Sequence, residues 1–166
     1  MAFRLTERQA EVQHWLAGRE RHKLIYGGAR SGKTFLFTRA VVLRAMIAPG
    51  SRHLIARFRQ NAVRASVGLD TLPRVMELCF PGVVLDENRQ DSFFELPNGS
   101  QIWLAGLDEK QRVDKILGQE YATIFFNECS QIPRASVMVA RTRLAQMCRV
   151  VINGVDQGRS SYRYSP

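Results

Sequence analysis

Gly27-Gly28-Ala29-Arg30-Ser31-Gly32-Lys33-Thr34 fills every fixed position of the pattern G-x-x-x-x-G-K-[ST]. Its glycines let backbone N–H groups turn inward around phosphate oxygens. The helix expected after it adds the partial positive charge of its N-terminus. Lys33 is spaced to reach the β- and γ-phosphates of a nucleotide, and Thr34 to offer its hydroxyl to Mg2+. All eight residues, Gly27 to Thr34, are candidate nucleotide-binding residues. Arg30 reads two ways: as a cation that stabilises charge on a transferring phosphate, or as a solvated arginine beside phosphates.

A phosphate loop needs a strand that delivers an acid beside it. Thr123-Ile124-Phe125-Phe126-Asn127-Glu128 is an apolar run ending in such a residue. The usual ending is Asp-Glu, with the first carboxylate on the metal's water shell. Here that position is Asn127, whose amide oxygen still accepts a hydrogen bond from a metal-bound water but carries no charge. Glu128 is the candidate catalytic carboxylate. Its structural alternative is an acid favoured by a helix N-terminus. Gln9 can read an adenine edge with its amide. Thr6 and Gln9 also make a capping box, T-x-x-Q, and both roles can hold together.

The elements that must position these residues follow from periodicity. Thr6 to Leu16 is predicted as a short helix, Lys23 to Tyr26 as a short buried strand, and Lys33 to Ile47 as a helix stopped by Pro49-Gly50. His53 to Arg57 is a second strand. Asn61 to Phe80 is mostly helical with a break near Pro73. Ser92 to Leu96 and Ser100 to Leu104 flank Asn98-Gly99, a hairpin signal. Glu109 to Leu117 reads as a helix capped by Gly118. Tyr121 to Phe126 suits a central parallel strand. Ser136 to Met147 reads as a helix, and Arg149 to Asn153 as the last strand. Alternating strands and helices argue for an α/β fold with a mainly parallel central sheet. With the loop and the acid strand, the expected class is a P-loop NTPase of the ASCE type with an inserted β-hairpin.

The chain has 166 residues, about one domain. The expected division is a domain over 1–157 and a tail or linker over 158–166. A net charge of +9 and a pI near 10.2 favour a polyanionic partner, with nucleic acid foremost. Three cysteines without C-x-x-C spacing argue against a zinc site or disulfide framework. No secretory signal is expected at the N-terminus, and no uninterrupted apolar run approaches the ~20 residues of a membrane span.

Taken in order, LTERQ, GGARSGKT, HLIARFRQNAVRASV, LPNGSQIWLAGLDE and KILGQEYATIFFNECSQIP resemble the ATPase domain of the large terminase subunit of tailed bacteriophages. The resemblance implies ATP and Mg2+ as cofactors. It implies hydrolysis that drives double-stranded DNA into the procapsid, in the cytoplasm of the bacterial host. Implied partners are duplex DNA, the portal protein, the small terminase subunit and copies of the chain in a ring, with no membrane. VVINGVDQ falls where the family places its coupling motif, which makes Asn153 a coupling candidate; the alternative is an asparagine in a turn. The family's arginine before the glycine matching Gly118 is replaced by Leu117, so Arg112, Lys115 or Arg30 would have to serve. No segment resembles the family's nuclease carboxylates, so no nuclease activity is expected here. Arg57, Arg59, Arg64, Arg141 and Arg143 are candidates for contact with DNA phosphates. Competing readings are a truncated prophage remnant that binds ATP without turnover and a helicase-like DNA-dependent ATPase.

Overall fold

The computed structural model describes residues 4–160 apart from 19, 29, 109–112, 115 and 117. The chain opens with α1 (Glu7–Ala17), capped at Thr6 by the expected reciprocal box. α2 (Lys33–Ile47) leaves the glycine-rich loop. At its far end, the Asn98 side chain donates to the Ala45 and Met46 carbonyls at 2.9 and 3.0 Å. The turn expected from Asn98-Gly99 therefore also satisfies carbonyls that a helix end leaves without partners.

β1 (Arg52–Arg57) is the axis of the sheet. His53, Leu54, Ile55 and Ala56 are all buried, as befits a strand covered on both faces. Beyond β1 the chain winds through α3 (Gln60–Val63), a π-helical segment (Arg64–Thr71) and α4 (Leu72–Cys79). The break expected near Pro73 takes the form of this change in helical pitch. Proline cannot donate a hydrogen bond and its ring crowds the carbonyl four residues back, and the wider π turn precedes it.

β2 (Asp86–Asn88), β3 (Phe93–Glu95) and β4 (Gln101–Gly106) come next, then β5 (Thr123–Phe126). The sheet order is β2-β3-β4-β1-β5. β1 is parallel to both β4 and β5, with Ile55 level with Leu104 and Phe125, and β2 and β3 extend the sheet antiparallel. Alternation along β1 divides the core. Ile55 joins Val42, Ala45, Val67, Val75 and Phe125 on one face, whereas Leu54 and Ala56 join Ala105, Tyr121 and Ile132 on the other. The architecture is mixed α/β, and its parallel strands carry their C-terminal ends to one edge.

Three regions differ from expectation. Lys23–Gly28 forms no regular element and pairs with no strand among the described residues, and Leu24 and Tyr26 are 70% and 89% exposed. The Lys23 ammonium explains the displacement. It donates to the carbonyls of Trp15, Leu16 and Gly18 at 2.6, 2.8 and 2.7 Å, so the segment is tied to the C-terminus of α1 instead of the sheet. Burial, and then Arg44, lowers the pKa of Lys23.

The helix expected over Ser136–Met147 is α5 (Arg134–Arg141), followed by tighter turns in which Arg143 and Leu144 bond three residues back. Finally, β6 (Cys148–Ile152) does not join the large sheet. It pairs antiparallel with β7 (Val155–Ser160) through Asn153-Gly154, and among the described residues β5 is therefore an edge strand of the five-stranded sheet and not a central one. Asn153 and Gly154 have φ of 50° and 78°, the left-handed pair that a two-residue type I′ hairpin needs. β7 carries the ladder to Ser160, into the stretch whose composition reads as a tail.

Candidate nucleotide and catalytic site

Gly32 caps α2 in the left-handed region at φ 79°, where a side chain is strained. A Cβ there would also lie 3.0 Å from Gln9 Nε2. Among the described residues no side chain caps the N-terminus of α2, and no acid lies in its first turn, so the helix dipole there favours an anion. Lys33 opens that helix. Its Nζ donates to the carbonyls of Gly27 and Gly28 at 2.9 and 2.6 Å and to Ser31 Oγ at 3.0 Å. The ammonium thus sits inside the loop, holding it curved around a positive centre.

Gln9 lies against this loop through α1. Its Oε1 accepts the Thr6 N–H at 3.0 Å, and its own N–H donates to Thr6 Oγ1 at 3.3 Å. Capping therefore occupies the oxygen and leaves Nε2 beside Gly32. Lys23 fastens the other end of α1 to the segment that leads into the loop.

Thr34 Oγ1 donates to Asn127 Oδ1 at 3.3 Å, although 93 residues separate them. This bond joins the start of α2 to the end of β5, and Asn127 is buried there. Both groups are hard oxygen donors, the class Mg2+ takes while keeping several waters. The pair fits such a metal through an oxygen set that carries no charge of its own.

Glu128 follows, with a left-handed φ of 56°. Its Oε2 accepts from Arg57 Nη2, and the Arg57 side chain is mostly buried. The other Nη of Arg57 donates to Ser66 Oγ at 3.2 Å and to the Ala62 carbonyl at 3.5 Å. Arg57, which by sequence is a candidate contact for DNA phosphates, is thus committed to Glu128. The topology accounts for the pair: β1 and β5 are neighbours with Ala56 level with Phe126, so residues just beyond each end come together.

The remaining candidates are dispersed. Arg30 is exposed at φ 59°, with no ion pair among the described residues. Asn153 lies in the exposed hairpin turn, and among the described residues no hydrogen bond links it to the loop. Arg59 is exposed, Arg64 pairs with Glu87 at 3.8 Å, and Arg141 contacts His22 Nε2 at 2.8 Å. Arg143 is half-buried, with its Nε lacking a partner among the described residues. Ala29, Arg112, Lys115 and Leu117 lie outside the described residues.

An α/β domain with parallel strands ending beside a glycine-rich loop is a class with many members. The chain belongs to one family within it, the terminase large subunit, T4likevirus-type, N-terminal, whose model matches residues 24–154. Among solved structures, the fold is similar to the large terminase of a thermophilic bacteriophage. One crystal form of that protein gives a TM-score of 0.72 at 21% identity, covering 92% of this chain. Its complex with ADP gives 0.69 at 20% identity over 90%, and its complex with ATP-gamma-S gives 0.65 at 22% over 82%. The present chain spans 37% of the phage protein in the first of these. No curated protein matches the sequence. Among the described residues, no helix is long and apolar enough to cross a membrane.

Proposed function

We propose that this chain is an ATP-hydrolysing motor domain of a phage terminase large subunit, a P-loop NTPase of the ASCE type that powers translocation of duplex DNA. The observation that carries the reading is the Thr34–Asn127 hydrogen bond, which draws the glycine-rich loop and the acid-bearing strand end into one site. Gly27 to Thr34 cradle the triphosphate, with Lys33 against the β- and γ-phosphates. Gln9 Nε2 lies beside the loop, where it can donate to the nucleotide. Thr34, and Asn127 through a water, hold Mg2+, which supplies charge neutralisation on the phosphate oxygens.

Glu128 orients a water for in-line attack on the γ-phosphate and accepts its proton. Arg57 restrains that step. While its guanidinium holds Oε2, only Oε1 of Glu128 is left to accept from water, and the carboxylate cannot turn freely toward the γ-phosphate, so turnover is faster when the ion pair opens. Arg30 is placed on the loop to stabilise charge on the γ-phosphate. Asn153 couples the nucleotide state to movement, and the hairpin it turns is the element that would move. Duplex DNA, portal, small subunit and a ring of copies in the host cytoplasm are the corresponding partners, with Arg59 and Arg141 as phosphate contacts. A second reading, ATP binding without turnover, draws on Asn127 at the position of the usual metal carboxylate.

Steady-state hydrolysis at low salt, with and without long duplex DNA, tests the proposal, because backbone contacts weaken steeply as salt rises. DNA-stimulated turnover that disappears in Lys33→Ala is expected. Tight ATP binding with no turnover would favour the second reading, and absence of both would overturn the assignment of the loop.

A further inference from the structure

Arg57 is held from two sides. One Nη faces Glu128, and the other faces Ser66 Oγ at 3.2 Å. Ser66 is an unusual residue for mid-helix. Its hydroxyl donates back to the Ala62 carbonyl at 2.7 Å, a bond that tends to bend helices without stabilising them. Its carbonyl accepts from Thr71 Oγ1 at 2.7 Å. With the proton spent on Ala62, the Ser66 oxygen can only accept, and the group offered to it is the Arg57 guanidinium. Ala62 O receives both Ser66 Oγ and Arg57, so the three groups close a small polar ring.

This ring sits where α3 gives way to the π-helical segment, Arg64–Thr71. π-turns are rare and concentrate at functional positions. The segment's inner side touches Arg57, while on its outer side Leu69 is 67% exposed and Arg64 reaches Glu87 on β2. A displacement of the segment would therefore move the support of Arg57 before it moved anything in the glycine-rich loop.

We propose that Ser66 is a positioning residue: its hydroxyl holds Arg57 against Glu128, and so sets how often Oε2 is released and the carboxylate can turn toward the water. The proposal rests on the reading of Glu128 as the water-orienting carboxylate. Loss of one hydrogen bond to a charged group should release the pair appreciably. Ser66→Ala should raise DNA-free kcat by about three- to tenfold. KM for ATP should stay within about twofold, because the change lies outside the nucleotide contacts. Ser66→Thr keeps the hydroxyl and should behave as the parent.

The test combines these kinetics with 15N NMR of the Arg57 side chain, assigned by its loss in Arg57→Lys. Hindered guanidinium rotation in the parent and in Ser66→Thr, averaged in Ser66→Ala, is the expected result. A folded Ser66→Ala protein with hindered Arg57 signals and unchanged kcat would overturn the proposal. If the parent shows no turnover but Arg57 still loosens in Ser66→Ala, the positioning role stands and the catalytic reading of Glu128 fails.

Discussion

Arg57 and Glu128 form an ion pair across the ends of two neighbouring parallel strands, β1 and β5. Arg57 contributes a mostly buried side chain and Glu128 a partly exposed one, so the pair lies at the rim of the site and not in its core. Arg57→Ala should free Glu128 to act without DNA. DNA-free turnover should rise and the stimulation by duplex DNA should fall. Arg57→Lys should give an intermediate result, since a lysine cannot fork between Glu128 and Ser66. Unaltered stimulation in Arg57→Ala, measured as the ratio of rates with and without DNA, would show that the pair does not restrain hydrolysis.

Asn127 places a neutral amide where a carboxylate would bring charge to the metal. Asn127→Asp keeps the acceptor for Thr34 and adds that charge. The Mg2+ concentration for half-maximal binding of a fluorescent ATP analogue should fall by roughly tenfold. An unchanged Mg2+ titration would place the metal away from Asn127.

His53 is buried within the sheet, with Nε2 2.7 Å from Ser51 Oγ and Nδ1 lacking a partner among the described residues. Burial, and then Arg44, lowers its pKa from 6.5 to about 3. The folded state therefore resists the proton that the unfolded state binds below pH 6.5. Stability should be full above that value and decline as pH falls toward about 3. One such group contributes at most about 1.4 kcal/mol per pH unit. Denaturant unfolding across this window should show a shallower decline in His53→Gln than in the parent. Equal slopes would remove His53 as the cause.

Leu54 is fully buried among Ala56, Ala105, Tyr121 and Ile132 on β1's second face. Leu54→Ala should cost about 2–5 kcal/mol by urea denaturation, through lost transfer energy and the cavity left behind. A loss well under 1 kcal/mol, roughly the scale of a surface change, would mean this second core is not packed as described.

Local signals are the legible ones. The Thr6–Gln9 box and the Asn98-Gly99 turn each depend on residues a few positions apart, and the structure shows both, as it shows α2 starting at Lys33 directly after Gly32. Asn153-Gly154 carries the same dipeptide signal as Asn98-Gly99; a turn at Asn153 stands in the sequence beside the coupling role, but the strand β7 that makes the turn a hairpin does not. The strand expected over Lys23–Tyr26 fails because four apolar-rich residues do not specify a pairing partner, and Lys23 instead finds the end of α1. The π-helical segment has no sequence signature, so the chain from Glu128 through Arg57 to Ser66 cannot be traced without the fold. Arg57 looks like one more surface cation, because only the register of β1 and β5 reveals its partner.

The most direct measurement of the central claim is single-turnover ATP hydrolysis beside ATP binding in Glu128→Gln. Loss of a catalytic carboxylate should slow the chemical step by about a hundredfold or more. Binding should survive, because the proposed cradle, Gly27 to Thr34, does not include Glu128. Hydrolysis near the parental rate in a folded Glu128→Gln protein would contradict the account.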